Sequence, residues 1–361
     1  MSQAFRDLLR KIGSGPHTSK DLTRQESAAA TEMMLTGVAT PAQIGGFLIA
    51  HRIKRPTAAE LAGMLDAFDH LGPRLAAVDS YERPVMVFGI PYDGRSRTTP
   101  LGPLTALILA AAGQPVLQHG GDQMPTKYGL HLAAVWRGLG VAWENLSLEQ
   151  AQVALAQTGI SFVHLRTHFP LAQEMVTYRE QIGKRPPFAT LELCWCPYAG
   201  PARVVSGFVH PPTEALIRET LQLRHGPNPP SYLMVKGLEG SCDLPRERVV
   251  IAAAGEPFER LLLTPRDFEL AGNDPPLHSP AQVQTDLLAV LAGEAGPLLD
   301  SAAWNGGFYL WQSGLAKDMQ AGLTLATSLL SEGHALAKLE ELRVFTAEAV
   351  SGETPVALIP S

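Results

Sequence analysis

Two glycine-bearing polar loops, each following a strand-like segment and separated by one apolar helical run, constrain this chain most. Residues 85–88 are β-formers that stop at Gly89. The polar loop from Gly89 to Gly102 carries Asp93, Gly94, Arg95, Arg97, Thr98 and Thr99. Residues 104–112 have the length and Ala/Leu content of a buried helix. Val116 and Leu117 open a second strand, which runs into His119-Gly120-Gly121-Asp122, with Lys127 shortly after. Strand and helix in alternation imply a parallel sheet, whose ligands sit beyond the carboxyl ends of its strands. Both loops fall there. Backbone N–H groups beside glycines suit an anion, and Arg95 and Arg97 can add charge-assisted contacts. The same residues also read as an ordinary turn bearing solvated arginines, because no P-loop or dinucleotide fingerprint is present.

The chain has 361 residues, too many for one small core and enough for two domains. Its hydrophobic content of 45% and charged content of 18% describe a soluble globular protein. A net charge of −6 gives no global attraction to nucleic acid or anionic membrane, which leaves a local basic patch as the only such route. No signal-peptide core opens the sequence and no apolar run is long enough to span a membrane. Cys194, Cys196 and Cys242 are an odd, sparse set, as expected in a reducing compartment, so a cytoplasmic location is expected. Cys194-Trp195-Cys196 lacks a second ligand pair at zinc spacing and reads as buried thiols. His164 and His168 lack the H-E-x-x-H context of a zinc helix.

In chain order, residues 1–78 read as a helical domain. Helices are expected over 4–11, 22–37, 42–52 and 58–71, with Thr23 and Glu26 as a capping box, Pro41 at a first helical position and Thr57 as a cap. Residues 79–361 read as an α/β domain, with a helix near 170–184 able to join the helical one. Helices are expected over 148–158, 171–182, 213–225, 281–291, 297–313 and 319–331. Strands are expected over 160–165, 231–235, 249–253 and 260–263, and an irregular apolar segment over 186–201. Trp304, Phe308 and Trp311 repeat at helical spacing and belong to a core. The fold class is α/β: a small N-terminal all-helical domain plus a larger domain with a mainly parallel sheet covered by helices.

Several stretches together resemble the anthranilate phosphoribosyltransferase family nearly end to end. They are Leu22-Thr23-Arg24-Gln25-Glu26, Gly37-Val38-Ala39-Thr40-Pro41 with Ile44-Gly45-Gly46-Phe47, Leu263-Thr264-Pro265-Arg266-Asp267-Phe268, and Gly293-Glu294-Ala295-Gly296-Pro297 through Trp304-Asn305. The resemblance implies phosphoribosyl pyrophosphate and Mg2+ bound between the domains, a homodimer formed through the N-terminal helices, and a small-molecule acceptor. The site motifs depart from the family's. Its G-T-G-G-D-G loop is here Gly89-Ile90-Pro91-Tyr92-Asp93-Gly94. Its K-H-G-N-R is Gln118-His119-Gly120-Gly121-Asp122. Its metal-binding D-E pair is Cys242-Asp243, with Glu239 nearby. Arg179 matches the arginine that helps hold the aromatic acid.

Transfer from a ribosyl diphosphate needs the leaving group neutralised and the acceptor held in line. By resemblance, Gly89, Asp93, Gly94, Arg95, Arg97, Thr98, Thr99, Gly120, Lys127 and Arg179 are substrate-binding candidates. Asp122 and His119 are catalytic candidates, with Asp122 as a base for an altered acceptor. Glu239 and Asp243 are candidate Mg2+ ligands. Two functions follow. One is a divergent transferase acting on an aromatic or other nitrogen acceptor. The other is a relative that has lost transfer and binds nucleic acid or another phosphate ligand in the same cleft, lined by Arg95, Arg97, Lys127, Arg179 and Lys236.

Overall fold

The structure is a computed structural model that describes residues 2–15, 17–225, 231–254 and 259–351. Four helices open the chain: α1 (Gln3–Gly13), α2 (Arg24–Leu35), α3 (Pro41–Lys54) and α4 (Ala58–Leu71). Thr23 with Glu26, Thr40 with Gln43, and Thr57 with Glu60 close reciprocal capping boxes at the starts of α2, α3 and α4. Each satisfies two of the N–H groups a helix start leaves unpaired. Glu60 also ties the bundle together. Its buried carboxylate accepts from the backbone N–H groups of Leu22 at 2.8 Å and Thr57 at 2.7 Å, and from Lys54 Nζ at 2.7 Å. Burial alone would raise this carboxyl. The close approach of His51, at 3.4 Å, and the hydrogen bonds from Lys54 and Leu22 outweigh it and bring the pKa down to about 2. α2 and α4 pack closely at Gly63, where a Cβ would lie 2.1 Å from the carbonyl oxygen of Arg24. Helix Pro170–Ile182 packs against α2 and α3, so it joins the bundle from outside the N-terminal segment.

The larger domain holds a seven-stranded sheet: β1 (Val85–Gly89), β2 (Val116–Gly120), β3 (Ile160–His164), β4 (Ala202–Gly207), β5 (Tyr232–Val235), β6 (Val250–Ala254) and β7 (Glu259–Leu263). Its order is β3-β2-β1-β4-β5-β6-β7. The first five strands run parallel, while β6 and β7 are antiparallel additions at one edge. β1 is fully buried. Met86 and Phe88 enter the core beneath the C-terminal helices, and Val85 and Val87 enter the core shared with the helical domain. Both faces are covered, which is why these strands read as continuous apolar runs. β1 feeds β2 on one side and pairs with β4 on the other, so the loop after β1 lies at the switch point of the sheet. Helix α5 (Gly102–Ala111) follows that loop.

The structure amends the sequence expectations in three places. The segment 186–201 contains a helical turn, Phe188–Leu191. Helix Leu132–Gly138 follows the second loop. The chain also carries an eighteen-residue helix, His334–Ser351, which packs on α5 and on helix Leu148–Thr158. Trp304 and Phe308 are buried, and Trp311 packs against their cluster.

The close α2–α4 contact makes a paired prediction. Gly63→Ala should cost about 1–3 kcal/mol in urea unfolding, because Arg24 backbone blocks the new methyl. Gly45→Ala in α3, where nothing lies within 4 Å of the new Cβ, should gain roughly 0.5–1 kcal/mol. Equal effects at the two positions would contradict the packing described.

Candidate functional site

The loop after β1 turns back at Gly94 (φ 77°), where a Cβ would lie 2.7 Å from the backbone of Gly129. Beyond it, three successive backbone N–H groups point at one side chain, the carboxylate of Glu239. Ser96 donates to Oε2 at 3.1 Å, and Arg97 and Thr98 donate to Oε1 at 3.0 and 3.1 Å. The hydroxyls of Ser96 and Thr98 donate to the same two oxygens, each at 3.0 Å. Arg95 Nε at 3.3 Å and Lys127 Nζ at 3.4 Å complete the ring. The Glu239 side chain is 3% exposed. Burial would raise its pKa, but the Ser96 and Arg97 N–H groups and the charges of Arg95 and Lys127 hold it far below the usual carboxylate range.

Arg95 is buried between two carboxylates. Its Nη1 donates to Asp243 Oδ2 at 2.6 Å and to Ser241 Oγ at 2.7 Å, its Nε to Glu239, and its Nη2 to the Thr98 hydroxyl. Asp243 also accepts the Leu101 N–H at 3.1 Å, just before α5. This corrects two expectations. Arg95 is not a solvated turn arginine, and Glu239 and Asp243 are not free metal ligands. A divalent cation between these carboxylates would take the place of the guanidinium, and Glu239's oxygens are already saturated by donors, so Mg2+ does not fit here. Among the described residues, no group of three His, Cys, Asp or Glu side chains is placed to hold a metal ion.

A second charged layer lies behind the first. Asp93 is fully buried and accepts from Arg185 Nε at 2.7 Å, with Arg179 Nη2 at 3.5 Å. Arg179 Nη1 donates to the buried Glu192 at 2.5 Å, and Glu192 also accepts the Tyr92 N–H at 2.8 Å. Arg179 and Glu192 line a small cavity with Phe68, Tyr92, Phe188 and Trp195. The arginine expected to meet an acid ligand is therefore paired within the chain, although its Nε remains without a hydrogen-bond partner.

The two catalytic candidates face apart. His119 is fully buried between the rings of Tyr92 and Trp195, at centroid distances of 5.6 and 5.3 Å, and its Nδ1 shares a hydrogen bond with the Tyr92 hydroxyl. Burial pushes its pKa down to about 3. Asp122 faces Arg166 at 2.8 Å, His164 at 3.5 Å and Arg137 at 3.9 Å. Neither is placed to act as a base toward the cleft. Gly89 is held against the Leu193 carbonyl, Gly120 against Phe162, and Thr99 bonds the Pro275 and Pro276 carbonyls. So the structure gathers Gly94, Arg95, Arg97, Thr98, Lys127, Glu239 and Asp243. It leaves His119, Gly120, Asp122 and Thr99 in supporting positions. Ser96, Ser241, Arg185 and Glu192 are further members that the sequence reading does not assign. Ser241 follows a glycine and Arg185 precedes a proline, while Ser96 and Glu192 carry no such local signal.

An open cleft runs between the domains, lined by Arg52, Pro91, Arg185, His210, Glu239 and Gly240. Arg97, 78% exposed, and the half-buried Lys127 stand beside Glu239, and Arg248 bonds the Lys236 and Gly237 carbonyls next to it.

Residues 6–72 match the helical bundle domain of the glycosyl transferase family, and residues 94–336 match its a/b domain. Fold and cleft thus define a two-domain protein of the glycosyl transferase class. The chain is 30% identical over 348 residues to the anthranilate phosphoribosyltransferase of Afipia carboxidovorans, across 94% of this chain and 97% of that one. It is 28% identical over 344 residues to that of Methylocella silvestris, across 94% of each. The fold superposes on the anthranilate phosphoribosyltransferase of Saccharomyces cerevisiae in complex with PRPP and Mg, with a TM-score of 0.79 at 15% identity over 97% of this chain and 99% of that one. For the Thermus thermophilus enzyme the TM-score is 0.76 at 22% identity, over 96% of this chain and 100% of that one. The chain belongs to the anthranilate phosphoribosyltransferase family.

The buried His119 sets a pH dependence. The folded state keeps the imidazole neutral down to about pH 3, while the unfolded chain protonates it near pH 6.5. The unfolded state then binds more protons, so this group removes stability as pH falls below 6.5, by up to ~1.4 kcal/mol per pH unit. Urea unfolding between pH 7 and pH 5 should show a shallower loss for His119→Gln than for the wild type. Parallel curves would contradict the assignment.

Proposed function

We propose that this chain binds a phosphate-bearing polymer, a single-stranded nucleic acid, at the cationic mouth of its interdomain cleft, and does not transfer phosphoribosyl with magnesium. The observation that carries this is the Glu239 carboxylate held on the Ser96, Arg97 and Thr98 amides. The activity implied by the family is transfer from phosphoribosyl pyrophosphate to an aromatic or other nitrogen acceptor. That activity needs a free anion loop, a metal held by carboxylates, and a cation for the acceptor. Here the chain's own carboxylate occupies the first. Arg95 takes the carboxylates of the second, and Glu192 holds the Arg179 of the third.

Cations stand along the cleft rather than in one pocket: Arg52 and Arg185 in its lining, Arg97 and Lys127 beside Glu239, and Arg248 on the Lys236 and Gly237 carbonyls. Arg52, Arg97 and Arg248 are exposed, with Lys127, Arg185 and Lys236 half-buried among them. Such a spread suits successive phosphates of a strand better than one compact diphosphate. A cytoplasmic setting accords with the three free cysteines. Among the described residues no helix is long and apolar enough to cross a membrane. The helical bundle is the expected face of a homodimer.

Isothermal titration of PRPP with and without Mg2+, paired with an anthranilate consumption assay, tests the negative half. No magnesium-dependent binding and no turnover are expected, and micromolar binding with turnover would restore the transferase reading. Oligonucleotide anisotropy across a salt series tests the positive half. Affinity should fall with a log–log slope of about −2 or steeper. Arg97→Ala should make that slope shallower. No oligonucleotide binding at low salt would overturn the proposed ligand.

A further inference from the structure

Seven donors surround the two oxygens of Glu239 within 3.4 Å: three backbone N–H groups, two hydroxyls, Arg95 Nε and Lys127 Nζ. A carboxylate offers about four lone-pair sites. The donor set therefore exceeds what its occupant can accept. A phosphate group, with three terminal oxygens and a larger charge, matches it better.

The turn that delivers the carboxylate is held in an uncommon conformation. Glu239 has φ 54°, in the left-handed region, and Gly240 follows at φ 85°. A long side chain in that region is uncommon, and its cost is sustained by the contacts it makes. The same two residues line the open interdomain cleft, where Arg52, Arg185 and His210 stand. The carboxylate is thus buried on one side, while the backbone that carries it borders open space on the other.

We propose that Glu239 is a displaceable plug in a latent phosphate site. A terminal phosphate group takes the amides of Ser96, Arg97 and Thr98, with Arg95 and Lys127, when the Glu239 side chain turns out into the cleft. This deepens the phosphate-binding reading of the cleft and rests on it. The competition is between two anions for one set of donors. Removing the internal anion frees the site without altering any group that would bind the incoming one. Asp243 stays on Arg95 and Leu101, so the site takes phosphate without a divalent metal.

The test uses the full chain and two variants. Glu239→Gly deletes the carboxylate and suits the left-handed backbone at this position. Glu239→Gln keeps the side chain's shape and removes its charge. Circular dichroism and sedimentation establish that each is folded, and if the Gly variant does not fold, the Gln variant carries the same comparison. Inorganic pyrophosphate is then titrated by calorimetry in chelator-treated buffer. The Gly variant should bind at least about tenfold more tightly than the wild type, a difference of about 1.4 kcal/mol, with the Gln variant between them. Equal affinity for wild type and Gly variant would overturn the plug, and so would an absence of binding to every folded variant. A 5′-phosphorylated and an unphosphorylated oligonucleotide run in parallel separate the sources of phosphate. Preference of the Gly variant for the phosphorylated strand supports a strand end as the ligand. No such preference, with pyrophosphate binding intact, supports a free phosphate compound. If pyrophosphate binding appears in the Gly variant while no oligonucleotide binds, the plug stands and the polymer reading falls. The reverse pattern leaves the polymer reading and removes the plug.

Discussion

The carboxylate of Glu239 ties together two loops from opposite sides of the sheet's switch point. One follows β1 and presents the amides of residues 96–98. The other follows β5 and presents Glu239 and Asp243. Arg95 lies between the two acidic groups and bonds both. Exchanging these buried ions for apolar groups of the same shape can be neutral. Removing one partner alone leaves a stranded charge and typically costs about 3–5 kcal/mol. The network is therefore best understood as a lock on geometry. It sets the loop's course, and through Asp243 and the Leu101 N–H it sets where α5 begins.

The layer behind it follows the same logic. Asp93 with Arg185, and Glu192 with Arg179, pair charges within the wall that separates the sheet from the helical bundle. Around them Phe68 of α4 meets Phe169, Phe188 and Trp195 at centroid distances of 5.1 to 5.9 Å. The bundle is thus joined to the sheet by aromatic packing, with the charged residues spent on one another. Outside that wall, Arg52, Arg97 and Arg248 are exposed along the cleft. These three arginines stand at its mouth in a chain of net charge −6.

The sequence carries the fold more openly than it carries the site, and particular residues show why. The starts of α2 and α4 are written in Thr23–Glu26 and Thr57–Glu60, three residues apart, so reading them needs only local chemistry. The strand before Gly89 and the loop after it are legible for the same reason. Arg95 shows the limit: it looks like an exposed cation on a glycine loop, while its partners lie 144 and 148 residues away. Asp122 likewise sits next to His119 in the direction of the chain, but its charge faces Arg166 and His164, at and beyond the end of β3. The antiparallel turn of β6 and β7 leaves no local mark either, since strand direction follows from connections. Helix His334–Ser351 is a different case. Its Ala, Leu, Glu and Lys content carries the helical signal, but it begins directly after Gly333 with no polar cap to mark its start.

The closed form of the loop depends on the occupancy of the Ser96, Arg97 and Thr98 amides by Glu239. Hydrogen exchange of those three amides in the free protein tests it most directly. Ser96 and Arg97 belong to an exposed loop, where an unbonded N–H would exchange at the rate of an open peptide. Slow exchange at all three, lost together in Glu239→Gly, is the predicted result. Open-peptide rates in the wild type, or protection that survives the loss of the carboxylate, would contradict it.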